Sequence, residues 1–140
     1  MADDLAFPNG MAITEDGATL IVAESHGNRP TAYYIGPGGD LGHRRTWAAT
    51  GDDHPDGICL DAEGAVWYAD VAHRHCVRVC EEGEVLGTVE PDRGAFACTL
   101  SRDDQPQLSV VGQEFGGLRT AEPTGQVVVF EAPAPGAGRP

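Results

Sequence analysis

Lysine is absent from this sequence of 140 residues, and its nine basic residues are all arginines. The absence excludes catalysis through a lysine Schiff base and phosphate binding by a lysine-dependent P-loop. Basic residues are also few beside 22 acidic ones, which gives a formal net charge of −13. Such a chain lacks a basic surface for phosphate backbones and is repelled by anionic membranes, so we expect neither nucleic acid nor a membrane as partner. The charge instead favours cations.

Long hydrophobic runs are missing as well. None approaches the roughly 18 apolar residues that a membrane-spanning helix needs. Residues 1–5 include two aspartates and no apolar core, unlike a secretory signal peptide. Without such a signal, the four cysteines Cys59, Cys76, Cys80 and Cys98 are interpreted as buried thiols, not as a disulfide framework. These features predict a soluble cytoplasmic protein.

Helical periodicity is nearly missing, and the apolar residues come in short runs instead. The runs are rich in β-branched or aromatic residues, end at Gly, Pro, Asp or Asn, and recur at a spacing of about ten residues, which is typical of all-β proteins. An acidic residue precedes glycine at Asp16-Gly17 and at Glu63-Gly64, where we expect hairpin turns. The sequence therefore predicts an all-β fold.

An internal repeat organises these predicted strands. Residues 8–13 (PNGMAI) are followed by TEDGA, and residues 55–60 (PDGICL), 47 positions later, are followed by DAEGA. Each unit continues into an apolar strand that ends in alanine and an acidic residue, Glu24 or Asp70. A third, fainter copy starts at Phe96. A period of about 40–47 residues with several short strands per unit is typical of a β-propeller with one four-stranded blade per repeat.

Three such units fill the chain, whereas propellers close with about four to eight blades. We therefore expect residues 1–131 to form a partial propeller of about three blades, an incomplete ring with an open sheet edge at each end. A homodimer would complete the ring, or the chain would be part of something longer. Residues 132–140 are almost entirely Pro, Gly and Ala, which predicts a flexible tail.

The repeat places Asn9 and Asp56 at equivalent positions, just before the innermost strands of two successive blades. Side chains there would converge on one mouth of the central channel. Their hard oxygens suit calcium, magnesium or manganese. Pro-Asn-Gly and Pro-Asp-Gly are equally typical of β-turns, so these residues alone leave the ligand and the turn interpretations side by side.

In combination, residues 7–12 (FPNGMA) and 55–67 (PDGICLDAEGAVW) resemble the gluconolactonase/regucalcin (senescence marker protein) family. The resemblance implies a six-bladed lactonase-type propeller, of which this chain would be the C-terminal half. It also implies metal-dependent hydrolysis of a small-molecule substrate, a sugar lactone or a related ester. Because the chain starts as if inside a longer family member, a truncated reading frame or a misassigned start is our hypothesis for its length.

The resemblance also assigns roles to individual residues. It makes Asn9 and Asp56 ligands of a divalent cation, calcium foremost, with zinc, magnesium or manganese as alternatives. It makes Asp56 the catalytic acid/base as well. The third protein ligand of the family, a glutamate, and its substrate-orienting Arg and Asn would lie in the half that this sequence does not contain.

A different class of function stays open, namely a non-catalytic binding or scaffold module derived from a propeller, whose exposed edge recruits a partner strand. The two hypotheses differ at Asp56, because replacing it with alanine would abolish metal binding and hydrolysis in the enzyme but leave partner binding intact in the module.

Other candidate sites are weaker. His73, His75, Cys76 and Cys80 lack paired metal-ligand spacing, and His75 and Cys76 would face opposite sides of a strand. We interpret the two histidines as exposed loop residues and the two cysteines as packed thiols. Residues 25–29 are interpreted as a solvated turn, and none of the serines has the Gly-x-Ser-x-Gly context of a serine hydrolase.

Overall fold

The computed structural model describes residues 1–115 and 122–139, and in these ranges the chain forms twelve β-strands and one short 3-10 turn. The first sheet contains four antiparallel strands in sequential order, β1 (Pro8–Ile13), β2 (Thr19–Glu24), β3 (Arg29–Ile35) and β4 (Leu41–Thr46). The 3-10 turn, Ser25–Gly27, lies between β2 and β3. No helix in the described ranges has the length and apolar character needed to cross a membrane.

Two further sheets follow. The second contains β5 (Ile58–Asp61), β6 (Val66–Asp70), β7 (His75–Val79) and β8 (Val85–Val89), and the third contains β9 (Gly94–Leu100), β10 (Gln107–Gln113) and β11 (Gln126–Glu131). Gly17 and Gly64 have left-handed φ angles of 73° and 82° in the β1–β2 and β5–β6 hairpins, as predicted. The succession of three antiparallel sheets confirms the all-β fold and the partial propeller of about three blades.

Buried side chains fill the two spaces between neighbouring blades. Strand β6 shows why its sequence is a continuous apolar run, since successive residues of a strand point to opposite faces. Val66 and Tyr68 pack into the core shared with the first blade, whereas Trp67 and Ala69 pack into the core shared with the third. A strand that is buried on both faces leaves no room for alternating polar residues.

Close backbone contacts join the inner strands of adjacent blades. The Gly10 amide donates to the Asp56 carbonyl, and the Gly57 amide donates to the Phe96 carbonyl, both at 2.9 Å. A Cβ at Gly10 would lie 2.6 Å from the Asp56 oxygen, and one at Gly57 would lie 2.6 Å from the Cα of Ala97. The first motif lies inside β1 and the second leads directly into β5. Their glycines therefore serve interblade contact, not a turn.

The Pro/Gly/Ala segment differs from its prediction as a flexible tail. Gly136 and Ala137 form β12, which pairs antiparallel with the end of β5. Arg139 exchanges backbone hydrogen bonds with Ile13 at the end of β1, and Ala134 is buried. Composition predicted flexibility because such residues form no regular structure alone. In the fold, however, the free edge of β5 offers unpaired backbone groups that this segment satisfies.

Candidate functional site

The structure brings Asn9 and Asp56 to the same end of neighbouring blades. Asn9 is the second residue of β1 and is exposed, and Asp56 is half-buried just before β5. The Asn9 amide donates to Ser25 Oγ at 3.5 Å, and that hydroxyl donates to the Pro55 carbonyl at 2.7 Å. Ser25 is thus a buried bridge between the two predicted positions. The interpretation of residues 25–29 as a solvated turn missed this link, because its partner lies 30 residues away.

Two effects act on the Asp56 carboxyl. Burial, followed by the charge of Asp70, raises the pKa of Asp56. Its backbone amide donates to the Ala69 carbonyl at 2.9 Å, so the residue is held against β6 as well as against β1. A carboxyl with a raised pKa takes up a proton more readily than an ordinary surface aspartate, which is the property that a general base needs.

The third blade places an aromatic residue at the equivalent position. The Phe96 backbone carbonyl accepts a hydrogen bond from the Gly57 amide, just as the Asp56 carbonyl accepts one from the Gly10 amide. Phe96 therefore occupies in the third blade the position that Asn9 and Asp56 occupy in the first two. Its ring is half-buried and lies edge-on to Phe115, with the ring centroids 6.1 Å apart. The three equivalent positions therefore present an amide, a carboxyl and an apolar ring.

A second group of polar side chains lies on the same end of the second blade. Ligand atoms of Asp53, Asp70, His73 and His75 all lie within 4.8 Å of one another. His73 Nδ1 is 3.1 Å from Asp53 Oδ1 and 3.0 Å from Asp70 Oδ2, and His75 Nε2 is 2.9 Å from Asp53 Oδ2. His73 is exposed, as predicted, but His75 is mostly covered. We refer to these four residues as the His/Asp cluster.

Sequence spacing concealed the His/Asp cluster because Asp53 comes from the segment before β5 and the other three from the β6–β7 hairpin. The available signal was the acidic residue that ends β6. Asp70 pairs with His75 directly across the hairpin, so a histidine five positions after that acid lies beside it.

Asp70 is fully buried, and its charge is held by donors. Its carboxylate accepts the His54 amide at 2.6 Å, the His73 amide at 2.9 Å and the His73 ring. Burial opposes ionisation, but these hydrogen bonds outweigh it and lower the pKa of Asp70. The same hydrogen bond to Asp70 raises the pKa of His73. Each partner thus favours the charged form of the other.

The first blade also has a buried acidic residue at the end of its second strand, but its hydrogen-bond donors differ from those of Asp70. Glu24, which ends β2, is fully buried and accepts hydrogen bonds from the amide of Ala6 at 2.7 Å and from the Thr31 hydroxyl. Arg29 and Arg44 each lie 3.2 Å from its Oε1. Burial would raise the pKa of Glu24, yet the hydrogen bonds from Ala6, Thr31 and Arg29 lower it from 4.5 to about 2.

The cysteines carry no comparable site. All four are free, with Cys76 and Cys98 buried and the other two half-buried. Cys59 and Cys98 lie with their sulfurs 3.7 Å apart on neighbouring inner strands. Hydrogen bonding to Cys59 and Cys76, together with burial, raises the pKa of Cys98 well above its usual value. The thiol form is therefore favoured, which fits packing and disfavours a nucleophilic role.

Comparison with known proteins identifies a family and several similar structures. The family model of the SMP-30/gluconolactonase/LRE-like region matches residues 1–112. Among solved structures, the fold is similar to that of a luciferin-regenerating enzyme, with a TM-score of 0.79 and 20% identity over 98% of this chain and 49% of that one. A gluconolactonase from Xanthomonas campestris gives a TM-score of 0.73 and 28% identity over 94% of this chain and 40% of that one.

A third structure, the calcium-binding protein regucalcin from Agrobacterium tumefaciens, gives a TM-score of 0.72 and 22% identity over 97% of this chain and 48% of that chain. The chain thus spans less than half the length of each of these proteins. The incomplete lactonase-type propeller and the resemblance carried by residues 7–12 and 55–67 are both confirmed. The chain belongs to the SMP-30/gluconolactonase/LRE-like family.

Proposed function

We propose that this chain carries the cation-binding and acid–base part of a hydrolase that opens sugar lactones or related esters. The observation that supports it most is the backbone contact between Gly10 and Asp56, which joins the inner strand that carries Asn9 to the segment that carries Asp56. Family membership supports the reaction class, and a structure 28% identical over 94% of the chain is that of a gluconolactonase. A second copy of the chain, or further blades, would supply the other walls of the site.

The donor set fits a divalent cation. Asn9 and Asp56 offer an amide oxygen and a carboxylate, the hard ligands that calcium, magnesium and manganese take and that zinc also accepts. The Asn9 nitrogen is occupied by Ser25, which leaves the amide oxygen as the atom for a cation. Calcium is the first candidate, since the similar regucalcin is a calcium-binding protein. When bound, the cation would polarise the lactone carbonyl.

Asp56 performs the proton transfers in this proposal. Its carboxylate accepts a proton from the water that adds to the carbonyl carbon, and then returns a proton to the ring oxygen as the C–O bond breaks. Lactone and water thus give the open hydroxy acid, with Asp56 regenerated. In the metal-free chain, burial and the charge of Asp70 raise the pKa of Asp56, so this carboxyl takes up a proton more readily than an exposed aspartate does. Phe96 would pack against the apolar face of the substrate ring.

Calcium titration of the 140-residue chain tests the proposal. Isothermal titration calorimetry is expected to show binding that Asp56→Asn and Asn9→Ala each weaken by more than about tenfold, because each removes a ligand atom or its charge. Asp104→Asn removes the same charge from an exposed turn after β9 and serves as the matched control. Equal calcium affinity in all four proteins would overturn the assignment of these ligands.

A further inference from the structure

The hairpins β2–β3 and β6–β7 are equivalent loops in successive blades. In each, the acid that ends the first strand pairs with the residue that begins the next, Glu24 with Arg29 and Asp70 with His75. Both connections contain four residues, and the last of these is left-handed, with φ of 50° and 57° respectively. The two loops therefore share their length and backbone conformation and differ in their side chains.

Those side chains neutralise the buried acid in different ways. Glu24 of the first blade faces two guanidinium groups, which stay charged at every physiological pH. Asp70 of the second blade faces the imidazole of His73, and His75 occupies the position of Arg29. A neutral imidazole, unlike a guanidinium, presents a nitrogen lone pair to a metal ion. Where the first blade has arginines that are always charged, the second blade thus has histidines that can bind a metal ion.

A second carboxylate, that of Asp53, joins this group. Asp53 contacts both imidazoles, at 3.1 Å from His73 and 2.9 Å from His75. His73 Nδ1 lies almost equally far from Asp53 and Asp70, and its one N–H cannot point squarely at both. The two carboxylates together carry a charge of −2, which one divalent cation in place of the ring protons would cancel.

The spacing fits a small metal ion. Zinc bonds of about 2.0–2.2 Å in a tetrahedron separate the ligand atoms by about 3.4 Å. The pairs at 2.9–3.1 Å therefore need to open by about 0.3–0.5 Å, and the more distant pairs, which lie within 4.8 Å, need to close. Two nitrogens and two carboxylate oxygens form a mixed donor set that zinc and cobalt accept and that calcium does not prefer.

Neighbouring groups hold the carboxylates in place. The Tyr68 hydroxyl donates to Asp53 Oδ2 at 2.6 Å, and the His54 and His73 amides donate to Asp70. Such outer contacts orient metal ligands and are typical of metal sites. Asp70 is fully buried, whereas His73 is 44% exposed, so a cation would enter from the His73 side.

We propose that the His/Asp cluster is a second cation site, which takes zinc or a similar transition metal and is distinct from the oxygen site at Asn9 and Asp56. It ties the segment before β5 to the β6–β7 hairpin. The site depends on residues of the second blade alone, so it does not rest on the lactonase proposal.

Cobalt and zinc titrations of the tag-free chain test this site. Cobalt(II) is expected to give the intense visible absorption of tetrahedral coordination at one equivalent, and zinc to displace it. His73→Ala and His75→Gln are each expected to weaken binding by more than about tenfold. His43→Ala removes an exposed histidine of β4 in the first blade and is the matched control.

His75→Arg is the sharpest variant, because it restores the residue type that the first blade has at this position. The fold, followed by circular dichroism, is expected to persist while cobalt binding is lost. Asp56→Asn removes only a nearby charge and no ligand of this site, so it is expected to weaken cobalt binding far less than the histidine variants, which separates the two sites. Cobalt or zinc affinity that is the same in the His73 and His75 variants as in the wild type would overturn the proposal, as would the weak spectrum of octahedral cobalt.

Discussion

The amide of Gly10 donates to the carbonyl of Asp56 at 2.9 Å, across the boundary between the first two blades. The contact is possible because Gly10 has no Cβ, which would lie 2.6 Å from the Asp56 oxygen and 2.7 Å from the Gly57 Cα. Both obstacles are backbone atoms, so no side-chain rotation relieves the overlap. The absence of a side chain at Gly10 therefore allows the backbone of Asp56 to lie this close to β1.

Gly10→Ala is accordingly expected to push the two inner strands apart. We expect the free energy of unfolding in urea to fall by about 1–3 kcal/mol, the usual range for overpacking. Gly42→Ala in β4 meets nothing within 4 Å and is the control, expected to be neutral or slightly stabilising. Equal stability of the two variants would contradict the close interblade contact.

Acid stability is expected to depend on Glu24. Its pKa of about 2 lies below the ordinary 4.5, so its contribution is complete above pH 4.5 and is lost as the pH falls towards 2. Between about pH 6 and pH 3 this linkage removes about 2 kcal/mol of unfolding free energy. Urea unfolding across this range is expected to show a shallower pH dependence in Glu24→Gln than in the wild type.

Glu15→Gln removes the same charge from an exposed hairpin and controls for the change in net charge. Its pH dependence is expected to follow the wild type. If Glu24→Gln and the wild type lost stability in parallel on acidification, the arginine-paired carboxylate would not be ionised as described.

The pairing of the C-terminal segment with β1 and β5 can be tested through its effect on stability. Gly138 has a φ of +65°, and a Cβ there would overlap the carbonyl oxygen of Ile13. Gly138→Ala is therefore expected to release the segment from β1 and to lower the unfolding free energy by about 1–3 kcal/mol. Gly125→Ala, which meets nothing within 4 Å, is the control. Unchanged stability and fast amide exchange at Ala137 in the wild type would instead support the flexible tail.

Much of the fold follows from the sequence because its signals are local. The glycines of the Asp16-Gly17 and Glu63-Gly64 pairs have the left-handed φ that marked the hairpins, and the apolar run around Trp67 is a strand buried on both faces. The repeat of Pro-Asn-Gly and Pro-Asp-Gly also located the inner strands. In each case the residues that carry the signal are neighbours in the chain.

The features that the sequence did not predict are contacts between residues far apart in the chain. Ser25 bridges to Pro55, the segment with Gly136 pairs with β5, and Asp53 meets His75 from a different loop. No spacing rule reports such contacts, because they arise when blades and loops pack. The positions of Asn9 and Asp56 on one end of adjacent blades were predictable from the repeat, whereas their roles as ligands and base stay predictions.

Lactone hydrolysis tests the central proposal most directly. Glucono-lactone opening would be followed by acid release at constant pH, with calcium or zinc added, for the wild type, Asp56→Asn and the Asp104→Asn control. We predict hydrolysis above the spontaneous rate that metal chelation abolishes, that falls by about 10²–10⁴ in Asp56→Asn, and that the control retains. Hydrolysis that is as fast in Asp56→Asn as in the wild type, or that persists after metal chelation, would contradict the account.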